Sequence, residues 1–189
     1  MSNITLIGMP GAGKSTLGVV LAKILGYQFL DSDLLIQKAE KRKLSTIIKE
    51  DGIEGFKEIE NRINASINVE ETVIATGGSV VYCEEAMKHL KEIGKVIYLK
   101  LSYENVSKRL GDLVGRGVVL EEGQTLKDLY EERTPLYEKY ADIVIDEEGK
   151  DLEASLQALL DKLGEWKSEL VYKNSKFVKR KVIFIYKYN

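Results

Sequence analysis

Gly8-Met9-Pro10-Gly11-Ala12-Gly13-Lys14-Ser15 lies between an apolar run, Ile4 to Ile7, and a stretch in which Leu17, Leu21, Ile24 and Leu25 recur at helical spacing until Gly26. Strand, glycine loop and helix in that order are what the Gly-x-x-x-x-Gly-Lys-Ser pattern needs in order to hold a phosphate. Glycines let successive backbone N–H groups converge on phosphate oxygens, and the following helix turns its positive end toward the same anion. Gly11, Ala12, Gly13, Lys14, Ser15 and Thr16 are therefore the candidate nucleotide-binding residues. Lys14 would reach the β- and γ-phosphates, and Ser15 would ligate Mg²⁺, whose other positions go to phosphate oxygens and waters.

Outward from this loop the same alternation continues. Tyr27 to Leu30, Thr72 to Ala75, Val96 to Leu99 and Ile143 to Ile145 read as strands. Helical stretches run from about Leu34 to Asn68, near Glu84 to Ile93, and over Tyr103 to Leu110, Leu126 to Lys139 and Leu152 to Leu163. Five short β-rich runs separated by helices predict an α/β protein, a three-layer α/β/α sandwich around a five-stranded parallel sheet. Ligands of such sheets sit outside the carboxyl ends of the strands.

Composition agrees with one packed domain. The 189 residues are 44% hydrophobic and 31% charged, with two prolines, one cysteine and a net charge of −2. That balance excludes a disordered or fibrous chain and offers no global attraction for nucleic acid or anionic lipid. A lone Cys83 and a lone His89 cannot form an internal disulfide or a cysteine/histidine zinc site. No apolar run reaches membrane-spanning length, and Met1-Ser2-Asn3 leads into a strand without a basic leader, so a cytoplasmic protein is expected. From Glu165 onward seven Lys/Arg face two Glu, a charge of +5 that leaves −7 on residues 1–164. The chain thus divides into a domain over 1–164 and a basic C-terminal extension over 165–189, whose aromatic, β-branched end could pair with a sheet edge.

The phosphate loop does not say what accepts the phosphoryl group. Asp31 and Asp33 end the second strand two residues apart, and a period of 2 would turn both carboxylates to one side, with Leu30 and Ser32 opposite. One could support Mg²⁺ and the other orient an acceptor hydroxyl and take its proton; a helix N-cap is the competing use of such a pair. Phe56, Ile59 and Ile63 form a buried stripe, with Lys57 and Glu60 on a neighbouring face where a solvated ion pair is the plain alternative. Thr76-Gly77-Gly78-Ser79 follows the third strand, where adjacent glycines admit a ligand to backbone or simply make a turn. Arg133-Thr134-Pro135 interrupts a helical pattern: Thr134 could cap, Pro135 could open a new helix, and Arg133 could bind a carboxylate or phosphate. Between Leu113 and Gln124 three glycines and Arg116 suggest a lid that excludes water and brings a cation to the transferring group. His89, Cys83, Tyr137 and Tyr140 read as packing or surface residues, and Trp166 as a pin for the extension.

Together, Gly8 to Thr16, Asp31-Ser32-Asp33, Phe56-Lys57-x-x-Glu60, Ala75-Thr76-Gly77-Gly78, Arg116 and the run Arg133 to Asp142 resemble the shikimate kinase family in order and spacing over residues 1 to about 163. The resemblance implies a phosphate-loop kinase fold with an acceptor-binding region over about 32–68 and a lid over about 112–124. It implies phosphorylation of the 3-hydroxyl of shikimate by ATP with Mg²⁺, in a monomer that engages no nucleic acid or membrane. By position, Asp33 matches the residue that holds the acceptor hydroxyls and acts as base, and Asp31 the one near Mg²⁺. Lys57, Gly77, Gly78, Ser79 and Arg133 fall at acceptor-binding positions, Arg116 at the lid arginine, and Arg109 at the arginine that stacks on adenine. The family usually has arginine at 57, a third glycine at 79 and proline at 117. Lys57 and Ser79 leave open another small hydroxylated acid as acceptor, and an ATP-binding regulatory protein without transfer is a third reading.

Overall fold

The computed structural model describes residues 3–110, 120 and 123–166. The first strand, β1 (Asn3–Ile7), is buried along its whole length, as a strand must be when helices cover both faces of a parallel sheet. The loop follows, then α1 (Lys14–Leu25), β2 (Gln28–Asp31), α2 (Ser32–Glu40) and α3 (Leu44–Ala65). Next come β3 (Thr72–Ala75), a 3₁₀ turn over Val80–Tyr82, α4 (Glu84–Ile93), β4 (Gly94–Lys100) and α5 (Tyr103–Leu110). The described fold closes with α6 (Leu126–Tyr140), β5 (Ile143–Asp146) and α7 (Leu152–Trp166). The extension beyond 166 and most of the lid, including Arg116 and Gly117, lie outside the described residues.

All pairings are parallel and the sheet order is β2-β3-β1-β4-β5, so the expected α/β/α sandwich is the observed one. From β1 the chain moves through α1 to β2 at one edge, whereas from β3 it crosses to β4 on the other side of β1. The connections leaving neighbouring β1 and β3 therefore diverge and open a crevice at their carboxyl ends. Register levels that edge: Ala75 of β3 is opposite both Leu6 of β1 and Asp31 of β2. Ile7, Ser32 and Thr76 consequently stand at one level, and Gly8 leaves β1 one residue beyond it.

The main core surrounds the sheet, with Leu6, Ile7, Leu21, Ile74, Ile97, Leu99, Tyr98 and Leu159 among its buried members. Each fully buried side chain of this size contributes roughly 1.5–3 kcal/mol. A second, smaller core of Ile36, Ile47, Phe56 and Ile63 holds α2 against α3, and α3 also packs along α4 while Ile67 just beyond it joins the main core. The helical stretch expected from Leu34 to Asn68 is divided at Lys41 (φ 53°), and α3 is kinked at Gly52 (φ 74°, ψ −178°). Arg42 ties the pieces together through Glu40, Glu50 and Asp51.

One local expectation fails. Arg133-Thr134-Pro135 does not break the helix: α6 runs through Pro135, and its start is capped reciprocally by Thr125 and Asp128. The Thr134 hydroxyl donates to the Tyr130 carbonyl at 2.7 Å instead of capping a new helix. Leu129, Arg133 and Tyr137, one turn apart, are all buried, and holding that face against the body outweighs the hydrogen bond that proline removes.

Candidate active site

The loop between β1 and α1 is shaped by main-chain contact. Gly8 has φ 146°, and a Cβ there would stand 2.7 Å from the Leu99 carbonyl oxygen, so β1 can enter the loop only through glycine. Lys14 is folded back over the loop and donates from Nζ to the Gly8 and Met9 carbonyls at 2.7 and 3.0 Å. Its burial lowers its pKa to about 8, against the opposing pull of Asp33. The Ser15 hydroxyl donates to Asp31 Oδ2 at 3.0 Å.

Asp31 and Asp33 do lie close together, but not through strand periodicity, and Asp33 lines the cleft while Asp31 does not. The strand stops at Asp31, and Asp31 caps α2, accepting at Oδ1 from the Asp33 and Leu34 amides at 3.0 and 3.3 Å. Asp33 thus sits in the first turn of a helix. Ser32, expected on the opposite side, is fully buried and accepts from the Gly77 amide at 3.3 Å. The N-cap and the Ser15 contact coexist because Asp31 has two oxygens. The Asp33 carboxyl is held above the ordinary carboxylate range by burial and by Asp31, with Lys14 opposing.

The turn after β3 forms the floor. Gly77 and Gly78 are required by space: a Cβ on Gly77 would lie 2.6 Å from Glu60 Oε1 and 3.0 Å from Asp33 Oδ1. One on Gly78 would lie 2.9 Å from Pro10 Cδ and 3.1 Å from Arg133 Nη1. Tyr137, stacked on Tyr98 at 5.0 Å between centroids, donates its hydroxyl to the Gly78 carbonyl at 2.6 Å. It is a packing residue as expected, and it also fixes the turn.

Lys57 and Glu60 are not the solvated pair that their spacing suggests. Glu60 is 0% exposed and accepts at Oε2 from the Ser79 hydroxyl at 2.6 Å, while Oε1 is buried without a hydrogen-bond partner. Burial pushes its pKa up to about 7. Lys57 instead donates to Glu54 Oε1 at 2.7 Å. The helix rotates Glu60 inward because Phe56 and Ile63, one turn to either side, belong to the second core.

Two cavities result, and they meet. One of about 550 Å³ is lined by Asp33, Lys57, Gly78, Ser79 and Arg133, with Phe56 and Ile48 as apolar wall. The other, about 960 Å³, lies over Gly13, Lys14, Ser15 and Thr16. Pro10, Asp33, Gly77 and Gly78 line both. A third, about 480 Å³, extends past Thr16 to Arg109, Lys150 and Ser155; Arg109 Nη1 reaches the Gly11 carbonyl at 3.4 Å. Of the expected site residues that are described, all but Asp31 line these spaces, and Asp31 stands behind them on the Ser15 hydroxyl.

The outlying candidates behave as packing groups. Cys83 is buried with its thiol pushed up to about 12, first by burial, and His89 contacts the Ile67 carbonyl at 2.6 Å. Tyr82, Glu147 and the β5–α7 loop escape a reading of the sequence. Only the loop leaves a trace there, Asp151 before an apolar helical pattern, which caps the Ala154 amide.

A phosphate loop that opens into a second polar cavity across a half-buried carboxylate is the arrangement of a nucleotide-dependent phosphotransferase with a small acceptor. The model of the shikimate kinase family matches residues 10–164, and the chain belongs to that family. It is 40% identical over 152 residues to the shikimate kinase of Thermodesulfovibrio yellowstonii, covering 79% of this chain and 87% of that one. To the shikimate kinase of Moorella thermoacetica it is 35% identical over 170 residues, 89% and 98% of the two chains. The structure of shikimate kinase from Acinetobacter baumannii in complex with shikimate matches with a TM-score of 0.76 at 32% identity, over 89% of this chain and 94% of that one.

Proposed function

We propose that this chain phosphorylates the 3-hydroxyl of shikimate with Mg²⁺-ATP, releasing shikimate 3-phosphate and ADP. The observation that carries this is the junction of the two cavities at Asp33, with Arg133 and Lys57 across the smaller one. A hydroxylated acid held there by its carboxylate at the cations would bring a hydroxyl to Asp33 and, beyond it, to a phosphate over Lys14. Asp33, made more basic by burial, takes the hydroxyl proton as that oxygen forms its bond to the γ-phosphorus and the bond to the ADP oxygen breaks. Lys14 exchanges its loop carbonyls for phosphate oxygens, and Arg116, by its match to the family's lid arginine, would offset charge on the transferring group. Arg109 packs on the adenine.

Ser15 and Asp31 fit Mg²⁺: a hydroxyl and a carboxylate oxygen 3.0 Å apart are hard donors beside the phosphate cavity. Among the described residues no group of three acidic, His or Cys side chains could cage a metal, in keeping with a magnesium ion bound through few protein oxygens. When bound, the ion neutralises charge on the phosphates. Asp31 would act through water, with Oδ1 committed to the α2 amides and Oδ2 to the Ser15 hydroxyl.

Both cavities are built from one chain, which supports a monomer as the working unit. No described helix is long and apolar enough to cross a membrane. We take the enzyme to work in the cytoplasm, with ATP and the hydroxylated acid as its partners and no role for nucleic acid. Lys57 paired with Glu54, and Ser79 with Glu60, favour as a second reading a different small hydroxylated acid. The decisive experiment is ADP release from Mg²⁺-ATP with and without shikimate. Shikimate-dependent turnover that Asp33→Asn lowers by about 10²–10⁴ is the expected result. ATP binding without shikimate stimulation would refute the acceptor.

A further inference from the structure

We propose that Tyr82 is a positioning residue for the acceptor, its ring gathering Lys57 and Arg133 into one two-cation clamp for a carboxylate. This rests on the acceptor being a small hydroxylated acid, as proposed above. Tyr82 ends the 3₁₀ turn that leaves the Gly77–Ser79 floor, and the turn is rigid: Val80 and Val81 are buried, and the Tyr82 amide donates to the Ser79 carbonyl at 2.9 Å. Lys57 Nζ stands 4.9 Å from the ring centroid and Arg133 Cζ 5.2 Å. Arg133 Nε donates to the Tyr82 hydroxyl oxygen at 3.2 Å.

Two cations brought to one cavity repel each other, and an aromatic ring attracts both through its quadrupole without neutralising either. A carboxylate in Tyr82's place would cancel the charge meant for the ligand. The phenol stays neutral, since burial raises its pKa further above the usual value. With Nε on the phenol, the far end of the Arg133 guanidinium comes to Gly78 at the cavity wall, and Arg133 is only 6% exposed. Lys57 is drawn from α3 to the same cavity while Glu54 holds it from the solvent side. One planar anion can then bridge a fork and a point charge, over the apolar wall that suits a carbon ring.

The test compares shikimate with its uncharged carboxamide, by turnover and by calorimetric binding, in the parent chain, Tyr82→Leu and Tyr82→Phe. Loss of the ring is expected to raise KM and Kd for shikimate about tenfold, a factor within the range of partly desolvated cation–π contacts. Tyr82→Phe should cost about threefold, while kcat, KM for ATP and carboxamide binding stay within about twofold. Combined with Lys57→Gln, the Tyr82→Leu effect should shrink. If Tyr82→Leu does not fold, Tyr82→Phe measured with and without Lys57→Gln carries the test. Equal losses for acid and carboxamide, or a fall in kcat alone, would overturn the clamp while shikimate turnover by the parent chain stood. Carboxylate-dependent binding that Tyr82→Leu abolishes, in a parent chain that does not turn over shikimate, would overturn the acceptor and keep the clamp. No preference for the acid in the parent chain would overturn both.

Discussion

The donor and acceptor sides of this site are built differently. The donor side is one contiguous segment, Gly8 to Thr16, in which main-chain atoms do most of the work and Lys14 is held by carbonyls five and six residues away. The acceptor side draws single side chains from α2, α3, the 3₁₀ turn and α6, and its contacts span 19 residues for Ser79–Glu60, 51 for Arg133–Tyr82 and 59 for Tyr137–Gly78. The donor side also rests on the main core, whereas much of the acceptor wall rests on the small core of Ile36, Ile47, Phe56 and Ile63. A phosphate needs a cradle of N–H groups that any side chains can decorate. A particular acid needs particular side chains, and those can be exchanged only in sets.

The contrast can be tested most severely on the donor side. Lys14→Met should lower kcat by about 10²–10³, the scale of losing one preorganised charge at the transferring group, without altering Kd for shikimate; a change confined to shikimate binding would break the division of labour. Gly77→Ala comes next. Its methyl must displace Glu60 Oε1 or Asp33 Oδ1, at a cost of about 1–3 kcal/mol, and KM for shikimate should rise at least about tenfold with KM for ATP little changed. Steady-state kinetics with a urea melt separates the two effects.

Glu60 offers a subtler break through pH. Its folded-state pKa is raised to about 7, chiefly by burial, from an ordinary value of 4.5. Between those values the folded chain keeps a proton that the unfolded chain has released, so this group's contribution to stability falls as pH rises from about 4.5 through about 7. The difference in unfolding free energy between Glu60→Gln and the parent chain should therefore shift in favour of the variant over that window. A difference independent of pH would mean that Glu60 stays ionised throughout. The smallest effect is expected at Arg109, which is exposed and makes a long contact to the Gly11 carbonyl: Arg109→Ala should raise KM for ATP by about threefold and leave shikimate binding alone.

How much of this is legible in the sequence follows from the same contrast. Strand β1, the loop and α1 can be read directly, because glycine spacing and helical periodicity are local. The five strands fall within a residue or two of their expected bounds, and burial on both faces writes a continuous apolar run in the central β1 and β3. Where the sequence misleads, a local rule meets a tertiary competitor. Strand periodicity cannot orient Asp33, which belongs to a helix. Proline does not break a helix whose buried face holds it together, and spacing does not pair Lys57 with Glu60 when the small core turns Glu60 inward. Tyr82 carries no local mark at all.

The sequence by itself determined the parallel sheet, the phosphate loop and the residues from which an acceptor site could be made, because those depend on periodicity and on backbone freedom at named glycines. Tertiary structure alone decided which carboxylate is a cap and which faces the acceptor, that Ser79 and not Lys57 partners Glu60, and that one tyrosine ring collects two cations. Those are choices among partners far apart in the chain. They are settled by packing of α2, α3 and α6 around the carboxyl edge of the sheet, where the competition between burial and pairing has a definite geometry only once the helices are in place.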